Sequence, residues 1–195
     1  VITPTVGDFL RRLGAALGVP VDLDHPEQAI AALGPIAALI GATIRNTANP
    51  TRLAAGYKDN VIPSRASATI DCRTLPGQAE VFVEQLRAVI GPDIEVEFLQ
   101  RQPALETTFD GPLVAAMAAA LVAEDPGALP VAYMLSAGTD AKAFATLGMR
   151  CFGFAPLRLP PDLNFGALFH GIDERVPLDG LEFGVRVLDR FLRDC

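Results

Sequence analysis

The chain has 195 residues, 50% of them hydrophobic and 20% charged, with 17 glycines and 16 prolines, which excludes a disordered tail and a collagen-like repeat. Its 16 basic and 23 acidic residues leave a net charge of −7 with no basic stripe, so no nucleic-acid partner is expected. Three cysteines, Cys72, Cys151 and Cys195, form neither a disulfide framework nor a zinc ribbon and point to a reducing, cytoplasmic setting.

Thr3-Pro4 reads as an N-cap followed by a first-turn proline, and Val6, Phe9, Leu10, Leu13 and Leu17 recur at helical spacing up to Gly18. Asp24-His25-Pro26 opens a second helix, from Glu27 to about Ile44, interrupted near Pro35 and ended by Asn46 to Pro50. The uncharged run Gln28 to Ile44 is shorter than the ~20 apolar residues that cross a bilayer, so it reads as a core helix and no membrane partner is expected. Two strands follow, Thr51 to Tyr57 and Ser64 to Arg73. In the second, Ala66, Ala68, Ile70 and Cys72 share one face and Ser67, Thr69, Asp71 and Arg73 the other, the alternation of a half-buried strand. After Pro76-Gly77, the spacing of Phe82, Leu86, Val89 and Ile90 predicts a helix up to Gly91-Pro92, and Ile94, Val96 and Phe98 alternate as a further short strand.

Residues 100–111 lack periodicity and hold Pro103, so a domain connection is expected there, with residues 1–100 forming one domain and residues 101–195 another. Pro112 to Glu124 reads as an alanine-rich helix, followed by a strand over 131–135, a helix from about Thr139 to Leu147 and a strand over 149–154. That is a βαβ unit, and its almost wholly apolar strands imply a parallel sheet covered on both faces. A long loop, Ala155 to Val176, carries His170 and leads into an amphipathic helix from Pro177 to about Arg193. The expected fold class is α/β: a two-layer α+β sandwich with a mainly antiparallel sheet, then a partial βαβ parallel-sheet domain.

Several residues could carry chemistry. His170, at the expected carboxyl edge of a parallel sheet, could ligate a metal or be locally hydrogen-bonded, while His25 at a helix start suits a capping or surface role. With two histidines, no H-E-x-x-H and no H-x-D, the chain encodes no intact metal centre by itself. Ser136-Ala137-Gly138-Thr139-Asp140 could present backbone N–H groups to a carboxylate, or be an ordinary N-cap with Ser136 or Thr139 supplying the oxygen. Ser136, Asp140 and His170 also follow the chain order of a hydrolase triad, yet the serine stands outside the G-x-S-x-G elbow that exposes a nucleophile. Arg73 could clamp a substrate carboxylate or pair with a neighbouring acid, and Asn60 could bind a ligand or serve its own turn.

Asp59-Asn60-Val61-Ile62-Pro63 and Ala68-Thr69-Ile70-Asp71-Cys72-Arg73-Thr74-Leu75-Pro76-Gly77 resemble the lid, or dimerisation, domain of one enzyme family. It is the di-zinc family of aminoacylase, acetylornithine deacetylase, succinyl-diaminopimelate desuccinylase and glutamate carboxypeptidase. Ser136-Ala137-Gly138-Thr139-Asp140 and Phe169-His170-Gly171-Ile172-Asp173-Glu174 resemble its C-terminal catalytic-domain motifs, in order and separation. The resemblance runs from about Glu27 onward and corresponds to the second half of a family member. It implies that Asn60, Arg73, Gly138 and Thr139 contact substrate and that His170 is a metal ligand. It also implies that the remaining ligands and the general base lie in the other half, so that no catalytic acid or base is expected in this chain.

For the intact enzyme the resemblance implies hydrolysis of the amide bond of anionic N-acyl amino acids or small peptides, with two zinc ions, or cobalt or manganese, activating a water. A homodimer through the lid is implied as well. The isolated chain is expected to be inactive, to bind no metal stably and to self-associate through uncovered core residues such as Val131, Tyr133 and Phe152. The competing expectation is a non-catalytic binding or dimerisation module, which would have no use for His170.

Overall fold

The computed structural model of the protein describes residues 2–33 and 37–195, and of Ala38 and Leu39 the backbone alone. Helix α1 (Pro4–Leu17) starts and stops where its sequence signals stand. The Thr3 hydroxyl accepts from the Val6 N–H, Pro4 fills a first-turn position that needs no donor, and Gly18 ends the helix in the left-handed region at φ 66. Its apolar face buries Val6, Phe9 and Leu10 against Ile30 of α2 (Pro26–Ala32), Leu33, Ile40 of α3 (Ala37–Ile40) and Ile44. The interruption expected near Pro35 lies outside the described residues. A single 3-10 turn, Gly41–Thr43, carries the chain out of this cluster.

Strands β1 (Thr47–Ala55) and β2 (Ala66–Arg73) pair antiparallel from Thr47↔Arg73 to Ala55↔Ala66. The first begins earlier than expected, through Pro50, which the sequence suggested as a terminator. Its register shifts between Pro50 and Arg52, and a proline is tolerated beside such a bulge in a ribbon whose strands are both edges. The base of the ribbon is tied where Asn46 Oδ1 accepts from the backbone N–H of the buried Leu75 at 2.8 Å.

Above that tie the ribbon is open. Ala66, Ser67 and Ala68 are exposed alike, so the half-burial expected of β2 is not realised, and α4 (Ala79–Ile90) contributes no buried residue. The strand expected at Ile94 to Phe98 does not form. Phe98 instead lies near the guanidinium groups of Arg87 and Arg101, 6.0 and 5.5 Å from its ring centre.

In the second half, α5 (Pro112–Glu124) packs on α7 (Leu178–Asp194), burying Ala120, Phe183 and Val187, with Phe154 and Phe191 alongside. Glu124 accepts from Arg190 at 2.7 Å and from Arg186 at 3.1 Å across the pair. Backbone runs close over α7 at two glycines: a Cβ on Gly184 would stand 2.4 Å from the Pro156 carbonyl oxygen, and one on Gly180 2.8 Å from that of Arg158. This notch seats the start of the long loop.

Residues 131–135 and 149–154, expected as parallel strands, carry no regular secondary structure, and the helix between them shortens to α6 (Ala141–Ala145). A strand must satisfy its backbone groups on a neighbour, and among the described residues neither segment enters a ladder. Val131 and Met134 pack instead against the cluster of α1 to α3. The described chain is therefore α+β with one two-stranded antiparallel sheet. No helix among the described residues is long and apolar enough to cross a membrane.

Candidate functional site

Arg73 closes β2 at the tied end of the ribbon, opposite Thr47. Its Nε donates to Asp71 Oδ2 at 2.9 Å, and its Nη1 donates to the backbone carbonyl of Ser136. Two motifs 63 residues apart in sequence thus meet through one guanidinium, whose side chain remains 47% exposed. Beside it, burial first and the charge of Asp71 second push the Cys72 thiol up.

The loop that Arg73 touches is open on its other side. Gly138, Thr139 and Asp140 are exposed, and a Cβ added at Gly138 would meet nothing within 4 Å. Neither Ser136 nor Thr139 caps the helix that follows. Asp140 holds the cap position and makes no side-chain capping bond, and α6 spans five residues, so its dipole at the loop is small. Among the described residues no hydrogen bond joins Ser136, Asp140 and His170, which leaves the serine-triad reading without geometry.

His170 occupies a turn that a histidine rarely fills. Phe169 has φ −59 and ψ 126, His170 has φ 59, and the Gly171 N–H donates to the Leu168 carbonyl at 2.9 Å, the pattern of a type II turn. Its second central position favours glycine, and among the described residues His170 is the one non-glycine with positive φ. A left-handed backbone at an exposed non-glycine residue costs about 1–2 kcal/mol, and sequence spacing does not reveal it.

Among the described residues the imidazole belongs to no cluster of three donors. A catalytic zinc takes about three protein ligands, and among the described residues no group of three His, Cys, Asp or Glu side chains comes together.

Asn60 sits at the second central position of the turn closed by the Val61 N–H on the Lys58 carbonyl at 3.3 Å, exposed in the connection 56–65. It lies beyond the far end of the ribbon from Arg73, since β2 alone extends about 23 Å at the usual rise of a strand. The two are not brought together. His25 fills the cap position of α2 without a side-chain cap bond, its Nδ1 3.0 Å from the Asp24 carbonyl, and among the described residues no hydrogen bond links it to the other candidates.

Two residues that spacing did not single out shape the site's surroundings. Asn46 fixes the end of β2 through Leu75, as described above. Arg150 holds the connection 100–111, donating to the Thr108 carbonyl at 2.7 Å and to Asp110 Oδ1 at 2.5 Å while lying over the Phe152 ring. Both act through bonds to residues distant in sequence, for which the local pattern holds no signal.

Residues 8–194 match the model of peptidase family M20/M25/M40. The chain belongs to this family. Its members are metallopeptidases and amidohydrolases. Human aminoacylase-1 is 30% identical over 151 residues, 74% of this chain and 35% of that protein. A Mycobacterium tuberculosis protein assigned as succinyl-diaminopimelate desuccinylase DapE is 32% identical over 154 residues, 78% of this chain and 40% of its own length. The human N-fatty-acyl-amino acid synthase/hydrolase PM20D1 is 27% identical over 165 residues, covering 80% and 32%. The chain spans 27% to 40% of the length of the curated relatives it matches. No solved structure matches it.

Proposed function

We propose that the chain is the part of a metal-dependent amide hydrolase that holds the carboxylate of an anionic N-acyl amino acid or small peptide. The observation that carries this reading is the meeting of Arg73 with the loop 136–140, which sets a cation beside an open, glycine-containing turn. Gly138 and Thr139 face the substrate carboxylate, and Asn60 contributes from the ribbon tip. Residues 1–100 act as the lid and residues 101–195 as a portion of the catalytic domain. Within that portion, 131–135 and 149–154 take strand conformation once neighbouring strands from outside these 195 residues pair with them.

His170 is one zinc ligand, and the remaining ligands and the general base come from outside the chain; cobalt or manganese fits the same donors. The strained turn at His170 supports this over a purely non-catalytic module, which gains nothing from such a conformation. A homodimer through the lid accounts for Leu53, Tyr57 and Ile62, which stand 81%, 84% and 93% exposed on and beside the ribbon.

Zinc per chain, measured by elemental analysis on protein of confirmed intact mass, tests the reading. One histidine without co-ligands predicts less than about a tenth of an equivalent. A content near one or two equivalents would overturn the assignment of the other ligands to residues outside the chain.

A further inference from the structure

We propose that the connection between α4 and α5 bends at residues 102–105, because Arg101 ties its first part to α4 and Arg150 ties its last part to the second half of the chain. On the first side, Arg101 Nη2 donates to Glu80 Oε1 of α4 at 2.5 Å, and its guanidinium lies 5.5 Å from the centre of the Phe98 ring. On the far side, Arg150 Nη2 donates to the Thr108 carbonyl at 2.7 Å, to the Asp110 carbonyl at 3.1 Å and to Asp110 Oδ1 at 2.5 Å. The same guanidinium lies 5.4 Å over the centre of the Phe152 ring, which Phe109 meets edge-on at 6.2 Å. A Cβ on Gly111, which has φ 98, would stand 3.5 Å from Arg150 Nη1. An exposed ion pair alone is worth little, but this guanidinium gathers two backbone carbonyls, a carboxylate and an aromatic face, so the segment 108–111 is held as a unit.

Between the two ties, residues 102–105 carry no regular structure and take part in no hydrogen bond among the described residues. Glu106 marks the far limit of this stretch: its Oε1 accepts from the Thr5 hydroxyl at 3.0 Å and from the Thr5 N–H at 3.4 Å, in the first turn of α1. A hinge is a few loop residues that absorb the backbone rotation, and residues 102–105 can turn without breaking a bond, whereas motion at 108–111 must first break those of Arg150. Helix α4 buries no residue of its own, so little packing opposes the motion. The position of the bend does not depend on what the loop 136–140 binds. It decides which parts move together: α4 with the chain up to 101, and α5 with the chain from 106.

Brief thermolysin digestion of the folded 195-residue chain, with the cuts identified by mass spectrometry, tests this. The protease cuts ahead of large apolar residues, and Leu99, Leu105 and Phe109 stand before, within and beyond the proposed bend. Cleavage before Val61, in the exposed connection 56–65, is the internal reference. The unmodified chain is cut before Leu105, and about fivefold or more slower before Leu99 and Phe109, since cleavage follows the population of the locally opened form. In R150A the cut before Phe109 speeds up about fivefold or more against the reference, the scale of one net hydrogen bond, while the cut before Leu99 keeps its rate. In R101A the pattern reverses.

D110N keeps both carbonyl acceptors and removes the charged one, so it acts in the direction of R150A by a smaller factor and decides the matter if R150A does not fold. Local release leaves cleavage inside α5 and α7 at the unmodified rate, which separates it from general unfolding. An unmodified chain cut as fast before Phe109 as before Leu105 would overturn the bend. So would a folded R150A chain, or D110N in its place, whose cut before Phe109 keeps the unmodified rate or rises only together with cuts inside α5 and α7.

Discussion

Helices α5 and α7 close on each other until Val187 is wholly buried, whereas the segments 131–135 and 149–154, more apolar than the charge-rich α7, leave Tyr133, Leu135 and Met149 about half exposed. Hydrophobicity alone does not account for the difference. A helix satisfies its backbone within itself and needs only a surface to lie on, while a strand is half a structure until another strand bonds to it. Helical parts of this chain therefore reach a finished state, and strand-forming parts reach one only at the ribbon, where β1 and β2 supply each other. Apart from Arg73, which closes β2, the candidate site residues lie on the unfinished side of that divide, in turns and loops.

The comparison is broken most severely by opening a helical cluster. Leu10→Ala removes a fully buried side chain and is expected to cost about 3 kcal/mol in urea unfolding. A loss well under 1 kcal/mol would mean that the cluster of α1 to α3 is no better closed than the strand segments.

Gly184→Ala comes next. The added Cβ would stand 2.4 Å from the Pro156 oxygen, so the loop must lift from α7, costing about 2 kcal/mol even against the ~1 kcal/mol that alanine gains in a helix. Thermal melts that show a stabilised variant would remove the close seating of the loop on α7.

A third substitution sharpens the contrast between stability and chemistry. His170→Gly relieves a left-handed backbone and is expected to stabilise the chain by about 1 kcal/mol while deleting the imidazole. Destabilisation in the same assay would show that the turn is not held in the left-handed region.

The smallest effect is electrostatic. The hydrogen bond from Arg190 first, and that from Arg186 with both positive charges, hold the Glu124 carboxyl below the ordinary carboxylate range. With a folded pKa lower than the unfolded one, its contribution is present above the unfolded value and is lost as pH falls through the folded value. Exchange protection of α5 and α7 should fall over that acid window, and Glu124→Gln should flatten the change. An unchanged acid profile in the variant would mean that the α5–α7 pairing does not draw on this carboxylate.

Legibility in the sequence follows the same divide. Helices α1, α5 and α7 stand close to their expected bounds, because Thr3, Pro4, Gly18 and Pro112 act on their own neighbours. The start of β1 was hidden by Pro50, whose tolerance depends on a bulge and on the exposed edges of a two-stranded ribbon. Helix α6 stopped short because residues 139–147 have little to lie against. At the site, the motif residues were readable as a pattern, but the bond from Arg73 to Ser136 spans 63 positions and the left-handed turn at His170 leaves no mark in composition. Nothing in the spacing distinguished Asn46 from any other asparagine ahead of a strand.

The bond between Asn46 and Leu75 brings the two ends of a long excursion to one point. What lies between them leaves and re-enters the body of the protein through a single doorway. Beyond the rung of Thr47 and Arg73 such a segment can be lengthened, shortened or exchanged for another hairpin of matching footprint, and Arg73, on that first rung, would keep its place if the exchange begins above it. The ribbon is in that sense a cassette, and its tip is the part of the molecule most open to grafting.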